Sequence, residues 1–325
     1  MIISKTPLRI SLAGGGTDLP SYSNINGGFV ISAAINKHIY ISVNKNWQPY
    51  YQLKYFKSEN KKKLKNINHP AIREVLRLLY SKSYCEISCI SDVPAGTGLG
   101  SSGSFLVGLI NSVAKFQNLN YSKKKLAELS SHIEMNILKQ PSGIQDQYIS
   151  SYGGIKILKT DKKGNTNVQD LNLDNNFLKY MEENILLFFS GYSRKSSKIL
   201  EEQTIKTNHN DKEMIANLDF VKSIANESIK AFKRKSLEDY GLLMKEHWDY
   251  KLKRSKNISN FSINRIINIG LKNGAIGAKL VGAGGGGFLM FVCKDKQKLR
   301  KKIANKYLRE LEFKFDFEGS KIIGR

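Results

Sequence analysis

The glycine- and serine-rich segment Asp92–Ser104 has the composition best suited to binding an anion. It follows a predicted strand and opens a predicted helix, so the free N–H groups of the first helical turn and the positive end of the helix dipole face the loop. Glycines that let a backbone approach a phosphate closely stand at positions 96, 98 and 100. Serines that can cap the helix, donate to phosphate or ligate Mg²⁺ are Ser101, Ser102 and Ser104. The segment predicts a phosphate loop, and a glycine-rich connector with a serine cap is the alternative.

The spacing of this loop excludes two common phosphate-binding motifs. No Gly-Lys-Ser/Thr ends it, as the Walker motif requires, and its glycines do not follow the G-x-G-x-x-G spacing of dinucleotide-binding folds. A different phosphate-binding architecture is therefore expected.

A second segment, Pro7–Pro20, reads as a strand that ends in three glycines followed by Thr17 and Asp18. A hydroxyl and a carboxylate offered at a turn suit a hydroxyl-rich ligand, and a turn merely capped by Asp18 is the alternative. Arg9 lies inside the apolar strand, where an unpaired guanidinium is costly. It therefore needs a protein carboxylate or a ligand phosphate nearby.

The third segment, Lys279–Phe288, places five glycines between two predicted strands. A tight hairpin turn needs at most two residues with positive φ, so this excess indicates that something packs directly on the backbone.

These segments are carried by alternating strands and helices, which predicts an α+β or α/β protein with two domains, 1–175 and 176–325. The boundary follows from the polar stretch 161–176. Predicted strands are Ile2–Leu12, Phe29–Val43, Tyr84–Ile90, Asn184–Phe189, Ala278–Val281, Phe288–Val292 and a last one with Phe313, Phe315 and Phe317 on one face. Predicted helices cover 72–80, 101–116, a segment after the N-cap Ser122, 194–208, 212–233, 236–252, 262–273 and 295–308.

The net charge of +24 raises the question of a nucleic-acid or membrane-surface partner. Only ten of the 52 basic residues are Arg, and the lysines are scattered along the chain. The densest basic runs lie in predicted loops or helix faces, where charge runs are usually solvated: Lys61–Lys65, Lys123–Lys125 and Lys251–Lys256. We therefore expect no nucleic acid and no membrane as partner, and favour an anionic small substrate.

Cysteine usage and hydropathy indicate a cytoplasmic protein. The three cysteines cannot all pair and have no metal-ligand spacing, so a disulfide framework and structural zinc are not expected. No apolar run approaches the roughly 18 to 20 residues that span a bilayer.

His247 falls on the apolar face of its helix, which predicts a packed core histidine.

The motifs resemble those of the GHMP-type small-molecule kinases, a superfamily that includes galactokinase, homoserine kinase, mevalonate kinase and phosphomevalonate kinase. Residues Pro94–Ser102 resemble its ATP phosphate loop, 279–288 its C-terminal glycine motif, and 7–18 the opening of its sugar kinases. A fourth segment, Ile133–Gln147, is similar to the galactokinase-like segment ending in G-x-x-D-Q. The four matches run from residue 7 to 288 in the family's order.

This resemblance implies a fold, cofactors and site residues. The fold would be two-domain α+β, with an N-terminal domain like ribosomal protein S5 domain 2 and a ferredoxin-like C-terminal domain. Asp146 would be the catalytic carboxylate with Arg9 beside it, and Ser102 and Glu134 would hold Mg²⁺. ATP, the co-substrate, would contact Pro94, Gly96, Gly98, Leu99, Gly100, Ser101, Ser102, Gly103 and Ser104. The acceptor would contact Gly16, Thr17, Asp18, Gly284 and Gly285. Arg194, which follows a predicted strand, is expected to contact the phosphate that the sugar already carries, and a solvated arginine in the first turn of a helix is the alternative.

Within the superfamily the chain resembles the D-glycero-D-manno-heptose 7-phosphate kinases, which implies phosphorylation of the anomeric hydroxyl in nucleotide-activated heptose synthesis for surface polysaccharide. The phrases Leu8–Pro20, Ser142–Tyr148 and Gly282–Phe288 carry this likeness. Galactokinases have Gly-Glu-His where this chain has three glycines at 14–16. A kinase of fucose or galactose and an inactive ATP- and sugar-binding sensor are the alternatives, and a monomer and a homodimer both stay open.

Overall fold

A computed structural model describes residues 1–79, 83–193, 197–303 and 308–324, and arranges them as two β-sheets with helices packed on them. The strands are β1 Ile2–Ala13, β2 Gly28–Lys45, β3 Tyr51–Lys54, β4 Ser58–Lys61, β5 Cys85–Ser91, β6 Ile155–Thr160, β7 Thr166–Asp170, β8 Ile185–Phe189, β9 Ala275–Leu280, β10 Phe288–Cys293 and β11 Lys321–Gly324. The helices are α1 Pro20–Asn26, α2 Pro70–Leu78, α3 Ser101–Phe116, α4 Lys123–Ser131, α5 Gln145–Tyr152, α6 Asn175–Asn184, α7 Ser197–Asn208, α8 Lys212–Lys233, α9 Leu237–Leu252, α10 Phe261–Lys272 and α11 Lys296–Ile303. A 3-10 turn, Leu64–Asn66, precedes α2, and a π-helical segment, His132–Ile137, continues α4.

The first sheet has eight strands in the order β11-β1-β2-β5-β3-β4, with β6 paired to β2 and β7 to β6. The long strands β1 and β2 are antiparallel, and this register sets Arg9 opposite Ala34. Residues 6–13 of β1 and 28–35 of β2 are continuously buried, because α3, α5 and α8 all pack on these two strands. Further along β2, Ile39, Ile41 and Val43 are buried while Tyr40 and Ser42 are half-buried, which is the alternation of a strand with one covered face.

The second sheet, β8-β10-β9, is antiparallel and has α9 packed against β9. Phe188 on β8 and Phe291 on β10 meet edge to face with ring centroids 6.0 Å apart. Helices α8 and α9 pack on each other and on β1, so they join the two sheets. The α+β class predicted from the sequence is confirmed.

The predicted last strand is wrong. Among the described residues, the segment with Phe313 and Phe315 makes only an isolated bridge, Ile35 to Phe315, and Phe317 is 58% exposed. The chain instead ends in β11, which pairs with β1 of the first sheet. Alternating phenylalanines indicated a strand, but two of them are buried by packing against the rest of the molecule without a ladder of their own.

Cys85 and Cys293 are buried and Cys89 is half-buried, all three as free thiols. Burial raises the pKa of Cys85 to about 12, so it is an inert core side chain. Along the described part of the chain, no helix is both long and apolar enough to cross a bilayer.

Candidate functional site

The segment between β5 and α3 forms a loop that points the start of α3 into a cavity. Gly100 is the N-cap of α3 in the left-handed conformation (φ 76°), and no side chain caps the helix. The first N–H groups of the helix are therefore left for an anion, as the sequence predicts. The backbone N–H of Arg9 donates to the Leu99 carbonyl at 3.0 Å, which fixes the loop to β1.

The glycines of the third segment are explained by contact with this loop. A Cβ on Gly98 would lie 2.5 Å from the Val281 carbonyl oxygen, and one on Gly282 would lie 2.8 Å from the Gly98 Cα atom. The Phe288 N–H donates to the Thr97 carbonyl at 3.1 Å. The packing on the backbone that the sequence predicts is thus the phosphate loop itself.

Arg9, which is buried, and Asp146, which is half-buried, form an ion pair at the cavity wall. Nε and Nη2 of Arg9 both reach Oδ1 of Asp146, at 2.7 and 2.6 Å, while Nη1 donates to the Gly98 carbonyl at 2.5 Å. Asp146 lies in the first turn of α5, whose approach to α3 depends on Gly103: a Cβ there would be 2.6 Å from the Asp146 Cβ. The structure therefore brings the two predicted catalytic residues together beside the phosphate loop.

Glu134, on the π-helical segment, is 5% exposed and lies near Asp146. Its carboxylate accepts from the Gln147 side-chain amide and from the Ser102 hydroxyl, and no cationic side chain lies within 4.0 Å of it among the described residues. Burial, and then the charge of Asp146, raise the pKa of Glu134 to about 7. A buried carboxylate beside a hydroxyl, without a counter-ion, is a donor set that suits a hard divalent cation.

Asp18 and Thr17 hold the turn after β1. The Asp18 carboxylate is buried and accepts from the N–H groups of Gly16 and Gln145, at 3.3 and 3.2 Å, so it also anchors the start of α5. Burial raises the pKa of Asp18. The Thr17 hydroxyl is fully buried and bonds to the Gly14 and Phe29 carbonyls, so Thr17 shapes the turn rather than facing the cavity.

All these elements border one cavity of about 1280 Å³. Sequence-predicted residues that line it are Arg9, Gly16, Asp18, Pro94, Gly96, Gly98, Gly100, Ser101, Ser102, Glu134, Asp146 and Gly284. Those that pack behind the lining are Thr17, Leu99, Gly103, Ser104 and Gly285. Ser104 is fully buried, with its hydroxyl bonded to the Pro7 and Gly100 carbonyls, and so supports the helix rather than a ligand. Arg194 lies outside the described residues.

The prediction that Lys251–Lys256 is a solvated run is wrong for Lys251 and Arg254, which are 8% and 5% exposed. Both line the cavity, together with Lys279 and with His247. His247 is buried as predicted but faces the cavity instead of packing in the core. His247 and Lys251 lie four residues apart on α9, and Arg254 follows in the turn after it. This i, i+4, i+7 spacing was the signal that could have revealed them, since it sets such residues on one side of a helix.

Aromatic side chains line another part of the cavity, past the phosphate loop. Tyr55 and His69 stand edge to face with centroids 4.8 Å apart, and His69 and Phe105 are 5.2 Å apart. This part of the wall suits a planar base.

Two family models match the chain: GHMP kinases N terminal domain over residues 66–154 and GHMP kinases C terminal over residues 228–309. The D-glycero-alpha-D-manno-heptose 7-phosphate kinase of Campylobacter jejuni is 29% identical over 98% of each chain. A mevalonate kinase of Methanocaldococcus jannaschii is 30% identical over 69% of this chain and 67% of its own. A crystal structure titled a D-glycero-D-manno-heptose 1-phosphate kinase, from Bacteroides thetaiotaomicron, superposes with a TM-score of 0.82 at 22% identity, covering 100% and 99% of the two chains.

Proposed function

Because the chain belongs to the GHMP kinase family, whose members are ATP-dependent phosphotransferases, we propose that it phosphorylates the anomeric hydroxyl of D-glycero-D-manno-heptose 7-phosphate to give the 1,7-bisphosphate. One observation carries the reaction: Asp146, held by Arg9, faces the same cavity as the uncapped start of α3. The acceptor is supported by the similarity to the Campylobacter jejuni heptose 7-phosphate kinase, which extends over 98% of both chains.

The triphosphate of ATP would lie along residues 94–104. Its negative charge would meet the free N–H groups at the start of α3, and the base would lie against the aromatic wall of Tyr55, His69 and Phe105. The acceptor would occupy the part of the cavity bordered by Gly16 and Asp18. This arrangement sets the acceptor hydroxyl, the γ-phosphoryl group and Asp146 side by side.

In the transfer, the hydroxyl oxygen forms a bond to the γ-phosphorus while the bond to the β–γ bridging oxygen breaks and ADP leaves. The two Arg9 nitrogens occupy Oδ1 of Asp146, which leaves Oδ2 to accept the hydroxyl proton. Arg9 remains charged throughout and stabilises the negative charge that spreads over the transferred group. Most of the acceleration would come from positioning and electrostatics.

Mg²⁺ fits the pair Glu134 and Ser102, since a buried carboxylate and a hydroxyl lie together without a cation. When bound, Mg²⁺ would neutralise charge on the phosphate oxygens. Within the described residues no group of three acidic, histidine or cysteine side chains could hold a metal ion, so nucleotide phosphates and water would complete its coordination.

The proposal is tested by a kinase assay with ATP and five acceptors: heptose 7-phosphate, heptose, galactose, fucose and mevalonate. We expect the highest kcat/KM for heptose 7-phosphate, and a ³¹P spectrum in which the new phosphate couples to the anomeric proton. A higher kcat/KM for any other acceptor, or a phosphate on another carbon, would overturn the proposed substrate. ATP binding without turnover of any acceptor would indicate a sensor.

A further inference from the structure

Four basic side chains line the cavity between α9 and β9 without a carboxylate partner: His247, Lys251, Arg254 and Lys279. We call them the basic cluster. Each is less than 10% exposed. Among the described residues, no acidic oxygen lies within 4.0 Å of the Lys251, Arg254 or Lys279 nitrogens, whereas Arg9 is paired with Asp146. Asp18, which lines the same cavity, raises the pKa of Arg254 through its charge but forms no ion pair with it. The cluster therefore keeps an excess of positive charge.

The bonds that the two lysines make go to neutral carbonyl groups. Lys251 Nζ donates to the Leu280 and Gly282 carbonyls at 3.0 and 2.5 Å, and Lys279 Nζ donates to the Leu12 carbonyl at 2.6 Å. Carbonyl dipoles orient an ammonium group but do not offset the cost of burying its charge. Buried cations of this kind call for an anionic ligand.

Two members of the basic cluster also have unused hydrogen-bonding atoms. Arg254 donates through Nε to Asn217 and through Nη1 to the Gly15 carbonyl, but its Nη2 has no partner among the described residues. Both ring nitrogens of His247 likewise lack a partner there. Buried donors without partners are rare, and here they belong to side chains that line the ligand cavity.

We propose that the basic cluster binds a phosphate monoester, namely the phosphate group that the acceptor already carries. This inference rests on the proposed function, in which the acceptor is a sugar phosphate. Arg254 Nη2 and a His247 N–H would donate to the phosphate oxygens, with Lys279 beside them. The guanidinium of Arg254 is already fixed by two bonds, so its free N–H groups are preorganised.

A terminal phosphate of ATP is the other source of the same chemistry, and the placement of Arg254 favours the acceptor. Its Nη1 bonds to Gly15, and a Cβ on Gly16 would lie 2.5 Å from that nitrogen. Arg254 is thus built into the turn that borders the proposed acceptor position rather than into residues 94–104. A heptose bound between Asp146 and Arg254 would have its anomeric carbon and its phosphorylated carbon at opposite ends.

The lowered pKa values of the basic cluster are consistent with a site that binds an anion. Burial and the nearby Arg9 and Arg254 lower the pKa of Lys279 to about 7, and burial lowers the pKa of Arg254 to about 10. The pKa values of Lys251 and His247 are lowered in the same way, first by burial and then by their basic neighbours. A bound phosphate dianion would reverse the effect of these repulsions.

The first arm of the test compares kcat/KM for heptose 7-phosphate and for unphosphorylated heptose in Arg254→Gln and Lys279→Met. Loss of a charge-assisted contact to phosphate should reduce the ratio of the two values about 10- to 150-fold. Lys279→Met is the second variant in case Arg254→Gln fails to fold. It should fold, because the Leu12 carbonyl that Lys279 contacts keeps its bond from the Tyr240 hydroxyl at 3.0 Å. Lys256→Gln, an exposed lysine just beyond Arg254, is the matched control and should leave the ratio unchanged.

The second arm measures inorganic phosphate binding by calorimetry with and without a saturating non-hydrolysable ATP analogue. Phosphate should bind in both cases, and at least tenfold more weakly in the two variants. If the analogue abolishes phosphate binding, the cluster serves the nucleotide and the inference is overturned.

The two arms separate this inference from the proposed function. If heptose 7-phosphate is the preferred substrate but neither variant alters the ratio, the inference fails and the proposed function stands. If no heptose is phosphorylated, yet phosphate binds beside the analogue and is lost in the variants, the proposed substrate fails and the anion site stands.

Discussion

At the residue scale, the ion pair of Arg9 and Asp146 fixes the carboxylate of Asp146 while leaving one of its oxygens available to a ligand. An arginine in an apolar strand requires an anion, and the structure supplies one from a helix 137 residues away in sequence. The pairing is one-sided: both arginine nitrogens contact Oδ1, so the second oxygen stays available to a ligand. By contrast, Arg300 contacts both carboxylate oxygens of Glu310.

Asp146→Asn should lower kcat about 10²- to 10⁴-fold, because the amide keeps the shape of the side chain but accepts a proton poorly. The dissociation constant for the acceptor should change little. Steady-state kinetics and calorimetry check both values, with the same change at the exposed Asp249 as control. Near-normal turnover in Asp146→Asn would remove Asp146 from proton transfer.

Ser102→Ala should raise the Mg²⁺ concentration needed for half-maximal turnover and lower kcat, because one oxygen ligand beside Glu134 is lost. Activity titrated against Mg²⁺ measures this. Ser223→Ala on α8, where the hydroxyl makes only a local bond to the Phe220 carbonyl, is the control. An unchanged titration curve in Ser102→Ala would exclude Ser102 as a ligand.

Lys279 should make the stability of the ligand-free protein depend on pH. Its pKa is about 7 in the folded state, against an ordinary value of 10.5, because the side chain is buried and because the charges of Arg9 and Arg254 are nearby. Between these pH values the unfolded state binds more protons, so the free energy of unfolding contributed by Lys279 rises with pH. Below about pH 7 its charge is buried and this contribution is lowest.

Lys279→Met should therefore raise Tm by about 2–4 °C at pH 6 and give a shallower rise in stability from pH 7 to 10. Thermal unfolding in a phosphate-free buffer measures both, with Lys256→Met as control. Parallel stability curves for wild type and Lys279→Met would show that Lys279 is not buried in its charged form.

At the element scale, helices α3 and α5 position the two groups that the proposed transfer needs, the phosphate and the carboxylate of Asp146. Helix α3 presents its N-terminus to the phosphate position, and α5 carries Asp146 in its first turn. They can approach this closely only because position 103 has no side chain: a Cβ would lie 2.6 Å from the Asp146 Cβ and 3.1 Å from its backbone. In the proposed reaction, the distance between Asp146 and the phosphate position would thus depend on one glycine.

Gly103→Ala should push α5 away from α3 and reduce kcat at least tenfold, with a loss of about 1–3 kcal/mol in the free energy of unfolding. Gly164→Ala is the control: its φ of +84° makes alanine unfavourable, but nothing lies within 4 Å of the added methyl. That variant should lose stability without losing kcat. Equal kcat values for the two variants would contradict the role given to Gly103.

At the scale of the whole molecule, the two halves of the chain meet at β1. The Leu12 carbonyl accepts from Tyr240 on α9 and from Lys279 on β9, and Lys222 on α8 bonds to the Gly27 carbonyl. The strand β11, near the end of the second half, also pairs with β1. Both halves therefore depend on one strand, and we expect them to unfold together.

Deletion of residues 320–325 should lower Tm by about 5 °C or more, in a single transition, because it removes β11 and leaves the buried Thr6 hydroxyl without Ser320. Differential scanning calorimetry detects both the shift and the number of transitions. Deletion of Arg325 alone is the control. Two separated transitions would mean that the halves unfold independently.

The sequence by itself determined the chemistry and most of the elements. The glycine segments, Arg9, Glu134 and Asp146 predicted a phosphate loop with a catalytic carboxylate, and the 3.6-residue periodicity located the long helices such as α3 and α8. These signals are local: a helix terminus, a turn or an amphipathic face is recorded in neighbouring residues. They therefore survive without knowledge of the fold.

Only the tertiary structure decided which side chains face the cavity. Lys251 and Arg254 read as part of a solvated run but are buried, because β9 and the turn after β1 cover that face of α9. Thr17 read as a ligand contact but is enclosed by Phe29 of β2. The segment with Phe313 and Phe315 read as a strand but makes only an isolated bridge, while Lys321–Gly324 forms the strand that pairs with β1. Burial arises between segments distant in sequence, so no local pattern specifies it.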